Sequence, residues 1–316
     1  MPTLTDYNRL SQDVLTSGVF DDIVTTSELA PWLEFQGHSG NAFLYDREST
    51  LPTVSTTSVG ATLTDSTMTT SQTSRSLAQI YVQLPLNRFA MQTKGNVNDQ
   101  KALHLQKMSK AMARKIEDLV VTGSSSTAAT EPEGLTALLI DDSRLLMADD
   151  GSTPSSITGS ETELTLDRLD AMIDMVEGGK PTVLMMNKTM RRKVTSLARS
   201  TGSGVVLNSE QLFGHQYTIY NGIPIVINDF ITNSETYENA GSWPSSTATT
   251  IFALKFGDGN QGFTIKHNGE VLEPDIQDIG IRENKNEDLY RMMVYFNTVI
   301  FSKLSCAGLA GIDSEA

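Results

Sequence analysis

Hydrophobic residues recur along this chain with two different periods, and the points where the period changes divide it. Ile80, Val82, Leu84 and Leu86 alternate with Tyr81, Gln83, Pro85 and Asn87. That period of two predicts a strand with one buried face. "NAFLYDR", Asn41 to Arg47, reads as a second strand. Between the two lies Ser49 to Ser76, more than half Ser or Thr, whose only charges are Asp65 and Arg75. Threonine is β-branched and favours extended backbone, and Gly60 is the only glycine in the stretch, so an ordered arm is expected rather than a flexible tether. The flanking strands are predicted to pair, making this segment the tip of a long hairpin whose edges stay open unless something covers them.

From Asn98 the period becomes helical. Leu105, Met108, Met112, Ile116 and Leu119 recur at spacings of three and four, with Asn98 placed to cap the start and Gly123 to end the run. Lys107, Lys110 and Arg114 fall opposite that apolar stripe. A second helix is expected after Thr165, with Leu169, Met172, Ile173 and Val176 inward and Gly178 as the stop. "PTVLMMN" is apolar throughout and predicts a strand buried on both faces. A third helix, capped by Asn187, follows it. Asn221-Gly222 between two apolar runs predicts a hairpin turn. Strands are expected around Ile251 to Lys255, Phe263 to Lys266 and Leu289 to Lys303. The mixture is α+β without a regular βαβ repeat. Residues 1 to 37 are poorly periodic and read as an arm whose Trp32, Leu33 and Phe35 dock elsewhere.

Charge and candidate chemistry narrow the function. A formal charge of -14 over 316 residues argues against a whole-surface nucleic-acid binder. No apolar run approaches a membrane span, and the single cysteine, Cys306, excludes an internal disulfide framework. His38, His104, His215 and His267 each lack a second metal ligand nearby in sequence, and no nucleophile–base pair can be named. "STGSGV" lacks the Gly-Lys-Ser/Thr of a phosphate loop, and "DGNQGF" has Phe263 where a calcium loop needs its glycine. Asp141-Asp142, Asp149-Asp150 and the acid-rich "EPDIQDIGIRENKNED" read as solvated surface. No catalytic residue, metal site or cofactor is expected.

The order of the parts resembles the major capsid proteins of tailed bacteriophages, whose Hong Kong ninety-seven type fold also builds encapsulin shells. An N-terminal arm, an extended loop and a long helix ending "KIEDLVVTG" come first, then a turn "EPEGL". The Thr165 to Val176 helix, "PTVLMMNKTMRRKVTSLA", "GIPIVIND" and a closing "FNTVIFSKLSCAGLAGI" follow in the family's order. The resemblance implies an arm at 1–39, an extended loop at 40–92 and a peripheral domain at 93–178 with a spine helix at 98–122. It further implies an axial domain at 179–255 and a return to the peripheral domain at 256–316.

It also implies a structural protein of the virion capsid, assembled in the host cytoplasm, whose principal partner is itself, in hexamers and pentamers of an icosahedral lattice. Portal, scaffolding and cement proteins and packaged double-stranded DNA are the further partners, with no membrane. Trp32, Phe35, Phe43, Tyr45, Val54, Val59 and Leu63 are the candidate intersubunit contacts. Lys107, Lys110 and Arg114 are the candidate lumen-facing basic face. The family's covalent link uses a lysine on the extended loop, and no lysine occurs here before Lys94, so a non-covalent lattice is expected. The alternatives are an encapsulin-like compartment and, from another class, a tail-associated or adhesin binding module with a Ser/Thr-rich stalk.

Overall fold

The computed structural model describes residues 28–29, 31–88, 97–125, 128–153, 161–200, 207–212, 215–235, 248–256, 262–269 and 275–315. Most of the expected N-terminal arm, all of "STGSGV" after Ser200 and the start of "DGNQGF" lie outside them. In chain order the first elements are β1 (Phe35–His38), β2 (Ala42–Thr50), β3 (Thr69–Ser76), β4 (Ala78–Asn87) and helix α1 (Val97–Thr122). Next come α2 (Leu135–Asp141), β5 (Leu145–Met147), α3 (Leu166–Asp174), β6 (Val183–Met186) and α4 (Lys188–Ser200). The rest are strands: β7 (Leu207–Leu212), β8 (His215–Tyr220), β9 (Ile223–Ile227), β10 (Ala248–Leu254), β11 (Phe263–Asn268), β12 (Asp275–Ile281), β13 (Glu287–Ile300) and β14 (Ala307–Asp313).

The local signals in the sequence act where they stand. Thr165 caps α3 by accepting from the Arg168 amide, and Leu169, Met172 and Ile173 face inward. Asn187 Oδ1 accepts from the Met190 amide at 2.8 Å and so starts α4. Asn221 and Gly222 both take positive φ, 50° and 81°, joining Tyr220 to its partner Ile223 across the turn.

Two large sheets and the separate two-stranded β2–β3 ladder carry the strands. The long strand β13 is the axis of the first. Its Phe296 pairs with Ala78 of β4 and with His267 of β11, so those strands flank it on opposite sides, and β12 pairs along its first half. The other sheet has seven strands in the order β5-β14-β10-β6-β9-β8-β7. Its centre is apolar on both faces, as "PTVLMMN" predicts. Val183 and Met185 of β6 enter one core with Phe252 and Leu254 of β10, whereas Leu184 and Met186 enter a second with Ile251 and Ala253. The first core also holds Leu105, Met108, Met112, Ile116 and Leu119 of α1, together with α2. The second lies beneath α3 and α4.

Two expectations are corrected. β2 does not pair with the strand after the Ser/Thr segment; it pairs with β3, inside that segment, while β4 pairs with β13. The alternating face of β4 explains this, because Leu86 is buried and Ile80, Val82 and Leu84 pack against the first core, which a projecting hairpin would not supply. The strand expected from Leu289 to Lys303 ends at Ile300, and the chain resumes as β14 in the other sheet. β5 and α3, expected in the peripheral domain, and β14, expected to return to it, belong with the seven-stranded sheet.

Candidate assembly interface

The hairpin β2–β3 is built on a continuous antiparallel register from Ala42↔Ser76 to Glu48↔Thr70, with a bulge before Thr50↔Thr69. The Thr50 and Thr69 hydroxyls meet at 2.6 Å where the ladder ends. Beyond it, residues 51–68 carry no ladder, and Val54, Val59 and Leu63 are 95%, 108% and 76% exposed. Leu51 and Met68 are exposed with them. An unpaired backbone with apolar side chains in water has its natural complement on another surface.

The root is different in kind. Phe43 and Tyr45 are buried, stack on each other at 6.2 Å and pack with Val299 and Phe301. Alternation along β2 turns both rings, expected between subunits, onto the chain's own body. Trp32 meets Tyr217 edge-on at 6.2 Å, and Phe35 packs against the first core from β1, so both dock within the chain. Burial raises the pKa of the Tyr217 phenol. Of the seven predicted contact residues, Val54, Val59 and Leu63 remain available to a neighbour.

Two arginines, one from each strand, fix the hairpin to the short helix α2. Arg47 forms a fork with Asp142, Nη1 to Oδ1 at 2.6 Å and Nη2 to Oδ2 at 3.1 Å. The same guanidinium donates to the carbonyls of Phe301, at 3.0 Å, and Ile300. Both side chains are nearly out of water, 12% and 6% exposed. Arg75 lies 3.6 Å from Glu133, just before α2, and 3.7 Å from Asp141, its last residue. Burial pushes the Asp141 carboxyl up; Arg75 draws it down, and the nearby Glu133 and Asp142 charges push it up further. The expectation that Asp141-Asp142 is solvated surface is thus corrected for Asp142, which is a buried ion-pair partner.

Sequence reasoning missed this mount. The available signal was that Arg47 borders, and Arg75 sits within, a segment almost free of charge. Asn297 completes the mount, donating to the Ser76 carbonyl at 2.7 Å and accepting from the Glu133 amide at 3.1 Å. Cavities of about 810 and 670 Å³ flank the root. Arg47, Lys255 and Lys303 line the first; Arg75, Tyr81 and Glu131 line the second.

On α1, Lys107, Lys110 and Arg114 are exposed opposite the buried stripe, as the spacing requires, and the Arg114 guanidinium lies 5.8 Å over the Phe230 ring. No group of three or more His, Cys, Asp or Glu side chains that could hold a metal ion occurs among the described residues.

Comparison with known proteins follows the same lines. Residues 52–255, more than half of the chain, match the family model described as SU10 major capsid protein. None of the curated proteins compared with the chain matches it. Among solved structures, the chain is similar to the SrpI encapsulin of Synechococcus elongatus, with a TM-score of 0.66 at 14% identity over 91% of this chain and 88% of that one. It is also similar to the capsid of a native GTA particle, with a TM-score of 0.58, 13% identity and 90% of each chain covered. A protein of Microbacterium phage Oxtober96 gives 0.59, 14% and again 90% of each. At such identities these structures share the fold.

Proposed function

The chain belongs to the SU10 major capsid protein family, and we propose that the β2–β3 hairpin is the limb by which its copies are joined. As a major capsid protein it forms the icosahedral shell of a phage virion. In the proposed reading, the tip of each hairpin lies across an adjacent copy of the same lattice of hexamers and pentamers. There its backbone gains partners and Val54, Val59 and Leu63 leave water. The observation that carries this is the contrast along one hairpin, with a root clamped by buried ion pairs and a tip almost wholly exposed. A rigid mount lowers the entropy lost when the tip docks. The tip's near neutrality avoids burying unpaired charge in neighbours of slightly different geometry.

The shell encloses double-stranded DNA, and the exposed Lys107, Lys110 and Arg114 form a local basic face toward it, within a chain whose net charge otherwise repels phosphate. The protein acts by tiling, without a catalytic step, and portal, scaffolding and cement proteins are the remaining proposed partners. The encapsulin likeness is one of fold, and family membership favours the genome as contents.

The test is electron microscopy and sedimentation of the purified chain beside Val54→Asp/Val59→Asp/Leu63→Asp. Wild-type protein should form closed shells, and the triple variant should stay as folded, unassembled subunits with an unchanged melting temperature. Normal shells from the triple variant would sink the hairpin role. Particles with Lys107, Lys110 and Arg114 all changed to Gln should retain DNA less well, and unaltered retention would remove the basic face from the account.

A further inference from the structure

The two helices over the second core are of opposite sign. α4 carries Lys188, Arg191, Arg192, Lys193 and Arg199 and no acid, in a chain of net charge -14. α3 carries Asp167, Asp170 and Asp174 against Arg168 alone. Each helix spends its apolar side on the sheet: Leu169, Met172 and Ile173 from α3, and Met190, Val194 and Ala198 from α4. The charges are therefore left on the outer surface.

Some of them are engaged within the chain. Asp170 accepts from the Tyr220 phenol at 2.9 Å, and Arg168 donates to the Asp149 carbonyl. Lys188 meets Asp229 at 2.7 Å, and Lys193 donates to the Asp313 carbonyl. Arg191, Arg192 and Arg199 are exposed without a carboxylate partner among the described residues, as are Asp167 and Asp174 without a cation. The arrangement is unfavourable for an isolated subunit. Cations crowd the first turns of α4, where they oppose the helix dipole, and Lys188 and Arg192 repel at a spacing of four.

The helices also sit at different places along one sheet. α3 packs on β14 and α4 on β9, and β10 and β6 lie between those strands. A second copy set beside the first in the same orientation would bring its acidic α3 next to the first copy's basic α4. Two unlike faces meeting in this way, repeated by a closing rotation, make a ring. We infer that, within the shell proposed above, α4 of each copy packs charge to charge against α3 of the next. The contact sets register and suppresses misdocked encounters, which is what complementary charge at an interface does best. A nucleic acid would use the arginines of α4 and leave the aspartates of α3 without a role.

The experiment uses the full chain and reads the fraction in shells by sedimentation, with melting temperature as the check on folding. Arg191→Glu/Arg192→Glu and Asp167→Lys/Asp174→Lys should each lower that fraction roughly tenfold or more, and the chain carrying all four changes should recover it. Arg191→Lys/Arg192→Lys should assemble as wild type. If the glutamate swap does not fold, Arg191→Gln/Arg192→Gln should weaken the dependence of assembly on ionic strength, and an unchanged dependence overturns the inference. So does normal assembly of either swap, or no recovery in the four-fold variant. Shells that form normally from the arginine swap but lose nucleic acid would reassign α4 to a polyanion, also against it. A wild-type chain that makes no particle would instead overturn the shell reading, and this inference with it.

Discussion

At the scale of single residues, the hairpin depends on Arg47. A guanidinium this far from water is tolerable only if its donors are matched, and Asp142 with the carbonyls of Ile300 and Phe301 matches them. Asp142→Ala leaves that cation without its counter-charge and should cost about 3–5 kcal/mol in chemical denaturation. Arg47→Met/Asp142→Leu together should cost clearly less, because no charge is then stranded. Equal losses in the two variants would mean that the pair contributes by packing alone.

His267 gives a second residue-scale prediction. It is 2% exposed on β11, and burial depresses its pKa, with the neighbouring Lys266 charge acting in the same direction and a bond to the Asn268 carbonyl against it. The unfolded chain thus takes up this proton first. Stability that is present above about pH 6.5 should fall as the pH drops through that value, until the folded imidazole titrates as well. Asp141 has the opposite sign, since its raised pKa favours proton uptake by the folded state, but it acts in the lower carboxylate range. Denaturation midpoints of wild type and His267→Gln measured across pH 5 to 8 should converge at the acid end. Parallel curves would clear His267 of the effect.

At the scale of elements, the end of α1 and the start of α2 are clasped by two glycines. The Gly134 amide donates to the Gly123 carbonyl at 2.7 Å, and a Cβ on Gly123 would come within 2.5 Å of the carbonyls of Leu119 and Pro132. These are backbone atoms and have nowhere to go. Gly123→Ala should therefore destabilise the chain by more than about 4 kcal/mol or abolish soluble expression, whereas Gly60→Ala at the open hairpin tip should leave folding intact. A soluble Gly123→Ala chain melting near wild type would refute the clasp. Both motif glycines stood out in the sequence, one closing the spine helix and one in "EPEGL", but nothing in their spacing said that they touch. Signals that act within a few residues were legible: the caps of α3 and α4, the Asn221-Gly222 turn and the double-sided apolarity of β6. What joins distant segments was not. β3 offers few apolar side chains to identify it as the partner of β2, and Arg47 finds Asp142 at a separation of 95 positions. The exposure of the tip residues Val54, Val59 and Leu63 was legible because they are apolar where the surrounding segment gives them no core. Phe43 and Tyr45 look the same in sequence, and only the fold shows that Phe301 and Val299 already receive them.

At the scale of the whole molecule, the proposed reading requires a lattice that holds without covalent closure. The described hairpin has a rigid mount and an almost uncharged tip, and the first lysine of the chain, Lys94, comes after it. An amide link from this limb would need an amine that the hairpin does not have. In the proposed reading each tip contact is a modest burial of a few aliphatic groups, reversible enough for a misplaced copy to leave, and durability comes from repeating it around a closed surface. Mature particles boiled in detergent should accordingly run as a single band at the mass of one subunit, with no ladder of multiples. The same particles in mild denaturant should release whole subunits that still melt cooperatively, since the ion pairs at the root lie within the subunit and the proposal gives the apolar tip to the contact. A ladder, or subunits that unfold at the same denaturant concentration at which the shells come apart, would show that the chain's own stability and the lattice's cannot be separated in this way.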